Sequence, residues 1–331
     1  MSNIKFRSLV IEEIENQFIP KIEEKIFDKL PPDKVLIKVA YSGLNFKDAL
    51  SSKGHKGITK QYPHTPGIDL SGTIVESNTK EFSVGEEVLV TGYDLGMNTP
   101  GGFQEYACVP KDWVVRIPEN LNLKTAMIYG TAGFTAALAI HRFQKNGIMP
   151  GTGKILVTGA TGAVGTLVIA LLNKQGYEVI ASTGKSNMVD FLKSLGADEV
   201  VTRQDIIDNS TRPLLPRRWK GVIENVGGLT LSSVARSVEK GGAVAIIGNV
   251  TGDKIELPIY PFILRGIALL GIESAETEMN LRKEIWSKLA NNWKVNNFEL
   301  LFNEIQLEQV PEHLNKMLKG ELSKRTIVKL C

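Results

Sequence analysis

The chain reads as an α/β protein in which a doubly wound parallel sheet is joined to a smaller, β-rich unit. A glycine-rich turn between 158 and 165 links an apolar strand directly to an apolar helix. Strands and helices alternate without interruption from 155 to 272. Ahead of that alternation, residues 34–118 form short β-rich runs punctuated by glycine and proline.

The runs at 35–40, 72–75, 87–90 and 105–109 carry the β-rich composition, with turn signals at Pro66-Gly67, Val84-Gly85 and Gly101-Gly102. They predict a small barrel or a partly open sandwich. Around residue 121 the texture changes, and 124–127 and 135–143 are helical in composition. Residues 155–157 form the first strand of the alternation, followed by glycines at 159, 162 and 165 and an apolar helix over 166–172. A dinucleotide needs this order of parts, because its pyrophosphate sits where backbone N–H groups are free and a helix N-terminus is electropositive. Gly162 lets the backbone approach the phosphates, and Gly165 lets the helix pack on the strand. In the G-x-G-x-x-G frame that ends at Gly165, Ala160 stands in the first glycine position, so the pattern alone also fits a merely tight βα turn.

Gly176 then breaks the chain, and 178–181 supply the second strand. A helix over 187–195 is stopped by Gly196, a favoured C-cap residue. Residues 199–202 are the third strand, and 221–224, 243–247 and 268–272 supply three more. Such alternation implies right-handed parallel crossovers. The tail from 281 holds helical segments and a last strand at 326–330, expected to return to the β-rich unit and leave a cleft between two lobes. The expected division is 1–123, completed by 273–331, against 124–272.

Composition narrows the function classes. At 331 residues two domains are expected, and 43% hydrophobic with 23% charged residues describes an ordinary soluble protein. A net charge of +3 gives no reason to expect a nucleic-acid partner. The densest basic cluster, Arg212, Arg217, Arg218 and Lys220, lies in a proline-broken segment and reads as a solvated loop. No apolar run approaches 18 residues, and residues 1–7 lack a signal-peptide core, so no membrane partner and a cytoplasmic location are expected. The two cysteines, Cys108 and Cys331, cannot form a disulfide framework or a metal cluster.

The end of the second strand indicates which dinucleotide. Enzymes that take NAD place an acidic residue there for the ribose diol. Here 181–187 carry no carboxylate, and the next is Asp190, inside the expected helix. Removing the acid removes the repulsion that a 2′-phosphate would feel. Lys185 offers a cation, Ser182 and Ser186 offer hydroxyls, and Arg203 follows the third strand. NADP(H) is therefore expected over NAD(H), the alternative being that Lys185 and Arg203 are ordinary surface charges.

The chain resembles the medium-chain dehydrogenase/reductase superfamily along nearly its whole length. The resemblance rests on Tyr41-Ser-Gly-Leu-Asn-Phe-Lys-Asp48, Pro66-Gly-Ile-Asp-Leu-Ser-Gly72, Val84-Gly-Glu-Glu-Val88, Gly101-Gly-Phe-Gln-Glu-Tyr106 and Gly130-Thr-Ala-Gly-Phe-Thr-Ala136. The Gly130 motif, Tyr260-Pro-Phe-Ile-Leu-Arg265 and Lys324-Arg-Thr-Ile-Val-Lys-Leu330 are similar, more narrowly, to the YhdH/YhfP group of quinone oxidoreductases and acrylyl-CoA reductases. The resemblance implies a GroES-like β domain, a Rossmann domain and a homodimer. It also implies cofactor contacts at Val164, Gly165, Thr166, Leu167, Lys185, Ser186, Asn187, Arg203, Asn249, Ile263, Ser274 and Arg325, while Phe46 is expected near the nicotinamide, against plain core packing. Ala163 and Asn249 depart from a longer glycine run usual in the group.

The departures from the zinc alcohol dehydrogenases matter as much. Ser42 stands where those enzymes place a ligand cysteine, Gly67-Ile68-Asp69 replaces their Gly-His-Glu, and no four-cysteine loop lies between Tyr93 and Gly101. Zinc needs converging Cys, His or carboxylate ligands. His64 reads as a turn or surface residue, and His55, His141 and His313 are scattered. Without a Lewis acid, an activated alkene conjugated to a thioester, ketone or quinone carbonyl suits hydride transfer, with the developing oxyanion stabilised by donors. Asn45 is the first candidate to shape the site, against a turn-stabilising role. Tyr41 is a candidate proton donor, and Arg325 a candidate cation near the reacting carbonyl. An α,β-unsaturated acyl-CoA such as acrylyl-CoA is the expected substrate, with Lys53, Lys56 and Lys60 as a possible basic entrance. A quinone or enone is the alternative, and a non-catalytic NADPH- or nucleic-acid-binding protein the remote one.

Overall fold

A computed structural model provides the structure and describes residues 4–330; Cys331 lies outside them. The chain opens with a hairpin of β1 (Ile4–Ile14) and β2 (Gln17–Phe27), paired antiparallel along their length. Glu15 and Asn16 both take positive φ, 51° and 63°, the backbone of a two-residue turn whose twist matches its strands. The β-rich reading began only at residue 34, because Glu-Asn lacks the glycine that usually flags such a turn.

Next come β3 (Lys34–Gly43), α1 (Phe46–Ser51), β4 (Asp69–Ser77), β5 (Glu87–Thr91), β6 (Tyr106–Pro110) and β7 (Val115–Arg116). The long helix α2 (Leu123–Lys145) is kinked at Gly130, where φ is 48° and ψ −152°. It is long and apolar enough to pass a length-and-composition test for a membrane span, but most of it is buried inside the fold, as in a core helix. The alternation follows with β8 (Ile155–Val157), α3 (Ala163–Lys174), β9 (Val179–Thr183), α4 (Val189–Ser194), β10 (Glu199–Thr202), β11 (Trp219–Glu224), α5 (Gly228–Ala235), β12 (Val238–Ile246), α6 (Tyr260–Arg265) and β13 (Ala268–Gly271). Gly196, at φ 103°, ends the α4 segment as its composition predicts. The tail supplies α7 (Met279–Ala290), β14 (Phe302–Gln306), α8 (Val310–Leu318) and β15 (Arg325–Lys329).

Two compact units result. The first comprises residues up to Thr131, Ala275–Ala290 and those from Leu301 onward; the second comprises Ala132–Ser274 and Asn291–Leu300. The boundary thus falls inside α2, beside its kink, rather than at 123/124. Residues 291–300 also belong to the second unit, where Val295 and Leu300 lie over a small cavity against Ala170 and Leu195.

In the first unit the main sheet runs β14-β15-β3-β4-β5-β7, with β6 pairing β3. Val35, Ile37 and Val39 of β3 are wholly buried with Leu70, Val88, Val90 and Val328 in one core, and Leu36 and Leu89 between them are buried as well, so these strands are covered on both faces. β15 pairs β3 so that Ile327 lies opposite Gly43 and Val328 opposite Ser42. That register carries Arg325, 280 residues downstream, to Asn45. In the second unit, all six strands are parallel in the order β10-β9-β8-β11-β12-β13, with Leu156, Ile180, Val222 and Val244 in the core.

Candidate active site

Strand order reverses between β8 and β11, which opens a crevice at the carboxyl edge of the sheet. Gly159 takes φ 57°, so the left-handed position of the turn falls one residue before Ala160. A Cβ on Gly165 would stand 2.5 Å from the Gly159 carbonyl oxygen, so only glycine lets α3 pack this closely. Gly162 caps α3. Its N–H is spent on the Gly159 carbonyl at 3.0 Å, and its own carbonyl accepts the Thr166 N–H at 3.0 Å. The first-turn donors left for an anion are those of Ala163, Val164 and Gly165.

Two expected contacts are corrected here. The Thr166 hydroxyl turns back onto the Gly162 and Ala163 carbonyls at 3.1 and 3.2 Å, and Leu167 is wholly buried in the core. The Thr166 N–H and hydroxyl are thereby spent within α3, and the Leu167 side chain faces the core.

Beyond β9 the chain presents Lys185 half-buried and Ser186 and Asn187 exposed. Burial lowers the Lys185 pKa. The exposed Arg203, directly after β10, brings its guanidinium within 3.2 Å of where a Gly184 side chain would begin. Lys185 and Arg203 therefore flank one bare glycine. Ser182 is corrected: it is buried within β9 with its hydroxyl turned to the Thr202 carbonyl at 3.5 Å.

On the other side of the crevice, Asn249 is exposed, and its carbonyl accepts the Gly252 N–H at 3.1 Å. Ser274 accepts a hydrogen bond from the Thr135 hydroxyl at 2.9 Å. Ile263 lies on the outside of α6, 63% exposed, with its N–H on the Ile259 carbonyl at 3.3 Å. Its N–H is thereby spent, so of its backbone atoms the carbonyl is the one left for a carboxamide. Sequence reasoning missed Glu224. Its buried carboxylate accepts the Thr158 hydroxyl at 2.9 Å and the N–H groups of Val226 and Gly227 at 3.0 and 2.8 Å. Burial raises its pKa against those bonds.

The first unit gathers a second set of polar residues. Asn45 precedes α1 and donates its N–H to Asp48 Oδ2 at 2.8 Å. Asp48 Oδ1 accepts the N–H groups of Gly67 and Ile68 at 3.0 and 2.9 Å, tying α1 to the approach of β4. Burial, with the neighbouring Asp69 charge, pushes the Asp48 pKa up to about 7 against those three backbone donors. Asp69 is wholly buried, accepts Asn45 Nδ2 at 2.9 Å and the Thr131 N–H at 3.0 Å, and forms an ion pair with Arg325.

Arg325, also wholly buried, donates Nη1 to the Leu44 carbonyl and to Asn45 Oδ1 at 3.1 Å, and Nε to the Met127 carbonyl at 3.3 Å. A Cβ on Gly43 would lie 1.9 Å from Arg325 Nη2, and one on Gly130 would lie 2.4 Å from it. Two glycines thus keep open the space that the guanidinium fills.

These bonds correct two expected catalytic roles. The Arg325 charge is met by Asp69 rather than held for a substrate carbonyl. The Asn45 amide is occupied on both sides, its Nδ2 also reaching the Gly43 carbonyl at 3.1 Å, so it positions α1. Tyr41 lies half-buried in β3, opposite Ser71 and Lys329. Phe46, at the first position of α1, is 38% exposed. His64 is no surface residue: it is 5% exposed and exchanges backbone bonds with Ile11 at 2.7 and 3.0 Å, and burial lowers its pKa. Lys56 is not a free entrance cation, since it pairs with Glu13 at 3.2 Å and lies over the Phe18 and Tyr62 rings.

Comparison with known proteins agrees with this geometry. The model of the alcohol dehydrogenase GroES-like domain matches residues 31–119, and that of the zinc-binding dehydrogenases matches 163–291. The putative quinone oxidoreductase YhfP of Bacillus subtilis is 46% identical over 304 residues, covering 92% of each chain. The probable acrylyl-CoA reductase AcuI of Escherichia coli is 36% identical and covers 98% of this chain and 99% of its own. The chain belongs to the YhdH/YhfP group of the medium-chain dehydrogenase/reductase superfamily. Solved structures bear this out. Bacillus subtilis yhfP with NAD bound superposes with a TM-score of 0.96 at 44% identity, covering 99% of this chain and all of that one. The yhdH oxidoreductase of Salmonella enterica in complex with NADP superposes with 0.94 at 36% identity, covering 98% and 100%.

Zinc, which the second matching model names, does not fit the residues at the corresponding positions. The Ser42 hydroxyl donates to the Asp69 carbonyl at 2.6 Å, Ile68 has no lone pair, and the Asp69 carboxylate is committed to Arg325, Asn45 and Thr131. Among the described residues no three His, Cys, Asp or Glu side chains group as metal ligands.

Proposed function

We propose that the chain is a zinc-independent, NADPH-dependent oxidoreductase acting on the β-carbon of an α,β-unsaturated acyl-CoA such as acrylyl-CoA. The observation that carries the cofactor reading is the end of β9. No carboxylate stands between Thr183 and Asp190, and Lys185 and Arg203 flank Gly184, a setting suited to a 2′-phosphate. The Ala163, Val164 and Gly165 N–H groups hold the pyrophosphate. NADPH, when bound, supplies the hydride. Phe46 offers an exposed ring and Tyr41 a hydroxyl at β3, while Asp69 and Arg325 fix Asn45 and so the start of α1.

The likeness to the Escherichia coli AcuI supports the acyl-CoA. The name of YhfP favours a second reading, reduction of a quinone. The NAD in the yhfP structure makes the nucleotide preference a question for direct measurement. NADPH consumption with acrylyl-CoA and with a simple quinone, each repeated with NADH, tests all three points. Saturable turnover of acrylyl-CoA with NADPH and inhibition by free CoA are expected. Turnover of the quinone alone would move the chain to the second reading, and equal affinity for NADPH and NADH would remove the role given to Lys185 and Arg203. A cytoplasmic, homodimeric enzyme without membrane or nucleic-acid partners completes the proposal.

A further inference from the structure

We infer that Asn225 is a cofactor-binding residue, whose side-chain oxygen accepts a hydrogen bond from a hydroxyl of the nicotinamide-side ribose. The inference rests on the dinucleotide reading of the crevice and adds a residue on its opposite wall. Asn225 directly follows β11, the strand across the reversal from β8. Its Nδ2 donates to the Thr158 carbonyl at 2.8 Å and its N–H to the Thr158 hydroxyl at 3.0 Å. The side chain is thereby laid onto the turn that leaves β8, and a Cβ on Gly159 would stand 3.3 Å from its own.

The other end of that amide, Oδ1, is buried and has no hydrogen-bond partner. A buried acceptor left unmade is costly, and this one sits where a ligand is expected. Its orientation is not free to reverse, because the Thr158 carbonyl demands the amide's donor face. Oδ1 therefore calls for a donor, which a phosphate at neutral pH does not supply and a ribose hydroxyl does.

Sheet order decides which ribose. Lys185 and Arg203 follow β9 and β10, on one side of β8, and the free N–H groups of α3 lie directly after β8. A nucleotide with its 2′-phosphate at the first pair and its pyrophosphate at the second continues toward β11. The half that reaches Asn225 is then the nicotinamide half. Glu224 supports the arrangement, since its carboxylate holds the Thr158 hydroxyl and the two N–H groups that follow Asn225.

The test compares two probes on wild type and Asn225→Ala by isothermal titration: NADPH, and 2′,5′-ADP, which carries the 2′-phosphate but lacks the nicotinamide ribose. Loss of one hydrogen bond weakens NADPH binding by about fivefold to tenfold, with 2′,5′-ADP binding unchanged. Retained 2′,5′-ADP binding also shows that the variant folds. Unchanged NADPH affinity, or an equal loss for both probes, would overturn the inference, the latter assigning Asn225 to the turn alone. Failure of wild type to bind either probe would remove the dinucleotide reading itself, and the inference with it.

Discussion

Breaking the Asp69–Arg325 pair should cost far more than the surface ion pairs do, and removing both charges together should cost less than the two single losses summed. Both side chains are wholly buried. Arg325→Met leaves the Asp69 carboxylate with Asn45 Nδ2 and the N–H and hydroxyl of Thr131 as donors but no countercharge. An uncompensated buried charge of this kind destabilises by about 3–5 kcal/mol. The remaining donors place this case at the lower end, about 3 kcal/mol. Asp69→Leu alone strands the guanidinium, which keeps its three carbonyl and amide acceptors, and the same range applies. The double Asp69→Leu, Arg325→Met variant removes both charges and should cost less than the two singles summed, even though Asn45, Thr131 and the Leu44 and Met127 carbonyls lose these partners. A cycle of urea-unfolding experiments measures the coupling, with native-state hydrogen exchange at Leu44 and Thr131 as a local check on the first unit. Two singles that each cost under about 1 kcal/mol, and add in the double, would mean that the pair is as weakly coupled as an exposed one and would refute the reasoning.

Glycine at 130 should be irreplaceable: Gly130→Ala forces φ 48° on a side chain and pushes a methyl against the Arg325 guanidinium and Asp69. A loss of about 2 kcal/mol or more in thermal or urea unfolding is expected, and a neutral result would show that the pair can shift aside. Asp48 should make stability depend on pH. Its folded pKa, about 7, lies above the unfolded value of 3.8, so the folded state binds the extra proton, and stability falls as pH rises from about 4 to 7. Asp48→Asn removes the ionisation and should flatten that slope; an unchanged slope would assign it to other groups. Lys185→Ala and Arg203→Ala should each weaken NADPH by about tenfold and leave NADH within about twofold. Parallel losses for both nucleotides would place these residues on a part the two share.

The second unit was largely legible because its signals are local. Each strand from 155 to 271 is a short apolar run between breakers, and the glycines at 159 and 165 mark the turn that needs them. What escaped was either non-local or chemically ambiguous. The hairpin β1–β2 closes on Glu-Asn rather than a glycine turn. Arg325 and Asp69 are 256 residues apart, and only the β15–β3 register brings them together. Glu224 and Asn225 were visible as a polar pair ending an apolar strand. That placement at a sheet's carboxyl edge is the signal that would have found them. Thr166, Leu167 and Ser182 were overreached because membership in a motif does not say which atoms remain unspent after a helix or strand has taken its own bonds.

The first unit shows how positions that would serve a metal can serve a rigid frame instead. Ser42, Ile68 and Asp69 stand at the positions that resemble the ligand sites of a zinc enzyme, yet the Ser42 hydroxyl donates to the Asp69 carbonyl, the Asp69 carboxylate pairs with Arg325, and Ile68 gives only its N–H, to Asp48. A carboxylate neutralised by a buried guanidinium has little charge left to polarise a substrate. It gains instead a fixed geometry, since Asp69 holds the Asn45 amide, and Arg325 holds both that amide and the Leu44 carbonyl before it. Helix α1 therefore begins at a point set by these three bonds rather than by a flexible turn. Phe46 and the residues after it inherit that position. In the proposed reduction the conjugated carbonyl carries its own electron sink, so the proposal asks the protein mainly for placement, and a fixed start of α1 is how this network would contribute to it.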